Sequence, residues 1–321
     1  MRIVAVDIGG THARFAIADV ADGRVVSLGE PVTLKTAEHG SFQLAWQAFA
    51  AGQDTPLPRA AGIAIAAPIS GDVIKLSNNP WIIRPALIPE RLDVDDWTLV
   101  NDFGAIGHAV AQVPESDFLH LCGPDGPLPD RGMITVCGPG TGLGVAGVLR
   151  VGGAYHVVET EGGHTDFAPL DGIEDALLQH LRKSFNRVSV ERIVAGPGIV
   201  AIYETLAAME GRAIARMDDR TIWARALDGS DSLATAALDR FCLALGAVAG
   251  DLALAHGPTG VVIAGGLGLR LKDHLVRSGF GERFVAKGRF RNLMARIPVK
   301  LITHPQPGLF GAAAAFAQEH A

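Results

Sequence analysis

The stretch Val4-Ala5-Val6-Asp7-Ile8-Gly9-Gly10-Thr11-His12-Ala13-Arg14 decides how this chain is read. A short apolar strand ends on a carboxylate, turns through two glycines and a threonine, and runs straight back into a second apolar strand. Adjacent glycines let backbone N–H groups approach an anion with no Cβ in the way. Thr11 adds a hydroxyl, and Asp7 is the residue type that holds a metal ion through water. No residue from Asp7 to Thr11 is basic. A phosphate here would therefore be met by amides and a metal rather than by lysine. The plainer alternative for this element alone is an ordinary hairpin.

Working outward, Ile3–Val6, Ala13–Ala18 and Arg24–Leu28 read as three strands, the last two joined by Asp22-Gly23, a strong hairpin signal. A helix is expected over Phe42–Ala51, a buried strand over Gly62–Ala67, and another over Thr98–Val100. That strand ends at Asn101-Asp102, with a helix from about Gly104 to Val113. The plan then recurs. Met133–Cys137 runs into Gly138-Pro139-Gly140-Thr141-Gly142, then into Leu143–Val151, and Gly152-Gly153 turns the chain into Ala154–Val158. We read this as an internal duplication. Helices follow at Ile173–Lys183, Gly198–Met209, Asp219–Ala226 and Ser232–His256. Val261–Ala264 and Ile297–Thr303 are the last strands and Gly308–Gln318 the last helix. Strands alternating with helices indicate an α/β architecture. Two similar halves, each offering a glycine-threonine turn, suggest a clamshell with a nucleotide phosphate tail between the turns.

Composition narrows the classes. At 321 residues with 48% hydrophobic content the chain is long enough for two cores. A net charge of −6 argues against a nucleic-acid binder. The one basic stretch, Arg283 to Lys300 with Lys287, Arg289, Arg291 and Arg296 inside it, reads as a solvated surface rather than a phosphate-attracting patch. Cys122, Cys137 and Cys242 are isolated, so neither a zinc clip nor a disulfide framework is indicated, and a reducing compartment fits. Only four apolar residues separate Arg2 from Asp7, which is no signal-peptide core. The longest uncharged run, Gly132 to Leu149, is broken by glycines and Pro139, so no membrane span is expected there. A cytoplasmic protein is the expectation. Gly-Lys occurs nowhere, which removes a Walker A loop, and HExxH and GxSxG are absent.

Several segments carry chemistry. Asn101-Asp102 stands at a strand end, where open α/β sheets bind ligands; both residue types also make good helix caps. Asp102 is placed to accept a hydroxyl proton. Glu159-Thr160-Glu161-Gly162-Gly163-His164-Thr165-Asp166 is dense in hydrogen-bonding groups suited to a polyhydroxylated ligand. The Glu161-x-x-His164 spacing also allows a metal on a helix, but two intervening glycines argue for a loop. Glu191-Arg192 precedes Gly196-Pro197-Gly198 and reads equally as a surface ion pair. Gly265-Gly266 follows a buried strand, either admitting a purine against backbone or starting a close-packed helix.

Taken together, these segments resemble bacterial glucokinases of the enterobacterial branch, within the sugar kinase–actin–heat-shock chaperone superfamily. The resemblance runs through Asp7–Arg14, Ala64–Asp72, Asn101–Phe103, Gly138–Ala146, Glu161–Pro169, Val188–Gly198, Ile263–Gly266, Lys287–Phe290 and Pro307–Gly311, in that order. It implies a two-lobed actin/hexokinase-like (duplicated ribonuclease H-like) α/β fold with an active-site cleft between the lobes. The smaller lobe would comprise residues 1–112 with 304–321 and the larger 113–303. It implies that Asn101, Asp102, Glu161, His164 and Glu191 bind sugar hydroxyls, with Asp102 as catalytic base. Asp7, Ile8, Gly9, Gly10 and Thr11 would flank the ATP phosphates with Gly138, Gly140, Thr141 and Gly142, and Gly265-Gly266 the adenosine. Asp7 would hold Mg²⁺ through water. A homodimer is implied, and no zinc, because the cysteine-rich motif of ROK sugar kinases is absent. His12 stands where the family often has Asn, and Ser77-Asn78-Asn79-Pro80-Trp81 only loosely follows the family's Thr-Asn-His-x-Trp segment.

The expected activity is transfer of the γ-phosphoryl of MgATP to the 6-hydroxyl of glucose, with lobe closure excluding water as a competing acceptor. The rival within the class is a kinase for another hexose, such as mannose or an N-acetyl amino sugar. A sugar-sensing regulator would need a DNA-reading helix-turn-helix, for which the opening strand leaves no place. An actin-like ATPase would not need the carboxylates and histidine of 161–191.

Overall fold

The computed structural model describes residues 1–76 and 79–321. The described residues fall into two compact units. The first is Met1–Asp117 with Tyr155–Glu159 and His304–Ala321; the second is Phe118–Ala154 with Thr160–Thr303.

In the first unit the main sheet runs Arg24–Leu28, His12–Ala21, Arg2–Ile8, Ala60–Ile65, Asp96–Asn101, with Val32–Lys35 also paired to His12–Ala21. The opening hairpin is antiparallel and puts Asp7 opposite Arg14; the next two pairings are parallel. Both faces of this sheet are buried, which is why its strands are apolar at consecutive positions rather than alternate ones. Val4, Val6, Ile8 and Phe15 pack with Phe42, Trp46, Phe49 and Trp81 on one side. Ile3, Ala5, Ala16 and Ala18 pack with Leu309, Ala313 and Phe316 of the helix Pro307–Glu319 on the other.

The second unit repeats the plan. Leu143–Val151 pairs antiparallel with Gly132–Pro139, which pairs parallel with Pro258–Ile263, and that with Val299–Ile302. The duplication read from the sequence is thus a duplication of topology: a hairpin followed by two parallel strands. Phe118–Cys122 adds an antiparallel edge strand that periodicity did not announce. The helix Ser232–His256 is long and apolar enough to cross a membrane by length and composition, yet 72% of its most apolar window is buried inside the protein. It is the core helix of this unit, packing Phe241, Leu245 and Val248 against Ile199, Ile202 and Phe280.

The basic stretch Arg283–Lys300 departs from the solvated surface expected of it. Arg283 donates to Asp171 and to the buried Glu174, each at 2.7 Å, and Lys287 pairs with Asp251 at 2.7 Å and donates to Ala247 O. Lys300 is 2% exposed. Only Arg289, Arg291 and Arg296 face solvent. Acidic partners from distant segments draw Arg283 and Lys287 inward, and no local sequence pattern reveals such partners.

Candidate active site

The first glycine turn sits on the edge between Arg2–Ile8 and His12–Ala21. Asp7 lies at the strand end with its side chain 20% exposed, and Arg14 reaches its Oδ2 at 3.2 Å. Register explains the pair, since the two residues are directly opposite. Burial pushes the Asp7 carboxyl above its ordinary value, partly opposed by the Arg14 guanidinium. Ile8 is fully buried, so only its backbone can serve a ligand. The Gly9 N–H donates to His12 O at 2.9 Å and closes the turn. Thr11 is exposed, and its hydroxyl lies 3.0 Å from His12 Nδ1. The His12 side chain therefore adjoins Thr11 at the turn.

The turn is held from beneath by residues outside the sequence-derived site. Thr36 Oγ1 donates to Gly10 O at 3.0 Å, and the Thr36 N–H donates to Thr11 O at 3.1 Å. Ser77 and Asn78 of the loosely matching segment lie outside the described residues, but Asn79 is buried and its Nδ2 donates to Gly9 O at 3.4 Å. Asn79 carried a sequence signal in its Asn-Asn-Pro-Trp setting; Thr36, alone after a short strand, carried none.

Asn101 and Asp102 occupy the junction between the strand Asp96–Asn101 and the helix Asp102–Gln112. Asn101 is the helix N-cap, its Oδ1 accepting from Phe103 N at 2.9 Å and Gly104 N at 3.4 Å, while its Nδ2 donates to Ala67 O at 3.1 Å. An amide carries two N–H donors, so one remains beyond the bond to Ala67. Capping and ligand binding are therefore compatible. Asp102 is the first helical residue, where the helix dipole favours negative charge, and its Oδ1 accepts from Phe103 N at 2.9 Å. Glu159, quoted in sequence with the 161–166 cluster, belongs instead to this junction: its Oε1 accepts from Asn101 N at 2.9 Å. A Cβ at Gly104 would lie 2.3 Å from that oxygen, so a larger residue there would displace the Glu159 carboxylate.

In the second unit, Gly138 and Pro139 end one strand and Leu143 starts the next. The Gly140 N–H donates to Gly142 O, and the Gly196 N–H to Gly140 O, both at 2.8 Å. Glu191, in the helical turn Val190–Arg192, accepts from Leu143 N at 2.9 Å through Oε2. A Cβ on Gly142 would fall 2.4 Å from that same oxygen. Glu191 is thus a partner of the glycine turn, and Arg192 stacks over Phe185 rather than pairing with it. Glu161 and His164 bracket a 3-10 turn, as the glycines between them implied, with their side chains 69% and 57% exposed and 3.9 Å apart. Backbone bonds from Val190 N to Thr165 O and from Phe167 N to Val188 O draw this segment against residues 188–191, which brings Glu161, His164 and Glu191 to one side of the second unit. Arg187 fixes the segment by donating to His164 O at 2.6 Å and to Asp166 Oδ1 at 2.5 Å.

Gly265 has φ +83°, and a Cβ there would meet Pro139 O at 2.7 Å. This glycine is demanded by backbone sterics, and it seats Gly265-Gly266 beside the end of the Gly132–Pro139 strand. A cavity of about 730 Å³ lies within the second unit, lined among others by Thr141, Glu191, Phe185, Arg192, Arg216 and Asp219. Gly265 and Gly266 are not among its lining residues. Among the described residues no three His, Cys, Asp or Glu side chains gather as a metal site. A magnesium ion held by one carboxylate, waters and phosphate oxygens asks for no such cluster, so Asp7 suits an ion that arrives with a nucleotide.

The glucokinase family model matches residues 4–319. A glucokinase of Zymomonas mobilis is 62% identical over 320 residues, covering 100% of this chain and 99% of that one. The solved glucokinase from an Antarctic psychrotroph superposes with a TM-score of 0.86 at 33% identity, covering 98% of both chains. A ROK family glucokinase from Streptomyces griseus, solved with glucose and AMPPNP, shares the fold, with a TM-score of 0.64 at 19% identity over 98% of both chains. On the strength of a match along its whole length, the chain belongs to the glucokinase family.

Proposed function

We propose that this chain transfers the γ-phosphoryl group of MgATP to the 6-hydroxyl of glucose. The observation that carries the proposal is the 2.9 Å hydrogen bond from Leu143 N to Glu191 Oε2. It ties a glycine turn suited to phosphate to a carboxylate suited to sugar hydroxyls, so neighbouring residues of the second unit present both. Asn101, Asp102, Glu161, His164 and Glu191 bind the sugar, and Asp102 accepts the 6-hydroxyl proton as the phosphorus–oxygen bond forms. Positioned proton transfer of this kind contributes roughly 10²–10⁴-fold. The turns at Asp7–Thr11 and Gly138–Gly142 cradle the phosphates, and Gly265-Gly266 meets the adenosine. Magnesium arriving with the nucleotide would supply the positive charge that the turns lack, and Asp7 would hold it through water. That a ROK glucokinase of this fold was solved with glucose and AMPPNP supports the choice of substrates. A cytoplasmic homodimer follows from the family resemblance.

The test is a coupled assay of ADP release with MgATP and a panel of hexoses. Turnover should require sugar and be fastest with glucose. Faster turnover of mannose or an N-acetyl amino sugar would redirect the reading to that hexose, and sugar-independent hydrolysis would overturn it.

A further inference from the structure

We propose that Thr36 is a positioning residue for donor binding: it sets the backbone of the Gly9–Thr11 turn so that the N–H groups of Thr11 and His12 are aimed at phosphate. The inference rests on the assignment of that turn to the ATP phosphates and adds to it the device that holds the turn in shape. Thr36 is a polar residue only 3% exposed. Its two donors capture two successive peptide units, Oγ1 bonding to Gly10 O at 3.0 Å and the N–H to Thr11 O at 3.1 Å. A peptide unit is planar and trans, so fixing a carbonyl points the following N–H the opposite way. The Thr11 and His12 N–H groups therefore point away from Thr36. Asn79 treats the preceding unit alike, donating to Gly9 O at 3.4 Å. The support closes on itself. Asn79 Oδ1 accepts from Trp81 N at 2.9 Å, the Trp81 indole donates to His39 O at 2.8 Å, and the His39 N–H returns to Thr36 O at 3.3 Å.

A turn built on two glycines has little conformational preference of its own. Donors act on developing or fixed charge most strongly when they need not reorganise. Thr36 supplies the order the glycines lack. The pairing of Val32–Lys35 with His12–Phe15 delivers it to the right place, because the strand ends one residue earlier.

Thr36→Val keeps the side-chain shape and the backbone N–H but removes the hydroxyl. Misaligning one charge-assisted amide bond should raise KM for MgATP about ten-fold. KM for glucose should stay near the parent value, and glucose should still raise the melting temperature. Thr36→Ser should restore KM for MgATP. An unchanged KM for MgATP in Thr36→Val, a parallel rise in both KM values, or no rescue by serine would overturn the proposal. Thr11→Glu tests the underlying assignment separately by placing a carboxylate at the turn. If it leaves KM for MgATP unchanged, the turn does not meet phosphate; if it raises KM while Thr36→Val is silent, only the role of Thr36 falls. Should Thr36→Val lose protection by glucose, Asn79→Ala frees Gly9 O from the same support and should raise KM for MgATP alone. No change there would count against the device.

Discussion

At the scale of single residues, the two halves of the candidate site differ in how they are anchored. Asp102 is fixed by its place at a helix start, whereas Glu191 is fixed by a side-chain bond to a neighbouring turn. Asp102→Asn keeps the shape of the helix start and removes the proton acceptor, so kcat should fall roughly 10²–10⁴-fold with KM for glucose little changed. Near-parent turnover would remove Asp102 from the role of base. Gly142→Ala tests the other anchor. The new methyl would sit 2.4 Å from Glu191 Oε2, and the carboxylate must move. Steady-state kinetics should show KM for glucose rising several-fold, an effect of about 1 kcal/mol or more for a broken charge-assisted bond. Retention of parent kinetics would mean that Glu191 serves the turn and not the sugar. Asn101 and Asp102 stood out because a strand end and a helix cap signal themselves locally, whereas Glu191 was named only through the family resemblance. Thr36 and Glu159 did not stand out, because their partners lie 26 and 58 positions away.

Among the elements, the helix Asp102–Gln112 carries most of the first unit's organisation. Beyond its cap, it presents Gly104, His108 and Gln112 to the segment Tyr155–Glu159, with His108 Nδ1 3.2 Å and Gln112 Nε2 2.9 Å from the Tyr155 hydroxyl. Burial pushes the His108 imidazole from 6.5 down to about 4. The folded pKa lies below the unfolded one, so the unfolded chain binds the proton more readily. Stability from the neutral ring is complete above pH 6.5 and is lost as pH falls towards 4. The full loss amounts to about 3 kcal/mol. Melting temperatures of His108→Gln should therefore fall less steeply than the parent's between those pH values; identical slopes would show that the ring takes its proton without penalty. The same helix crosses Pro307–Glu319 at close range. A Cβ on Gly311 would lie 1.8 Å from Ala105 O, which forces the backbones apart. Gly311→Ala should destabilise the protein by about 1–3 kcal/mol, read by chemical denaturation, as overpacking does. Full stability in that variant would mean that the helices separate freely.

For the whole molecule, the proposed homodimer has a simple measure. Light scattering should give about 67 kDa, twice the 33.6 kDa chain; a value near 34 kDa would leave each chain to act alone. The sequence by itself determined the α/β class, the duplicated hairpin plan, both glycine turns and the strand-to-helix junction at Asn101-Asp102. Each of these is a local signal: hydrophobic period, clustered glycines, a capping side chain. Helices such as Phe42–Ala51, Gly198–Met209 and Ser232–His256 were marked at both ends by composition alone. Tertiary structure decided the rest. It paired Arg283 and Lys287 with distant acids, joined Glu191 to the second turn through Leu143 N, moved Glu159 from the 161–166 cluster to the Asn101 junction, and placed Thr36 and Asn79 beneath the first turn. These relations depend on which segments lie side by side once the sheets form. Side-chain hydrogen bonds reach only about 3 Å, so a residue's partner is set by packing and not by its neighbours in sequence.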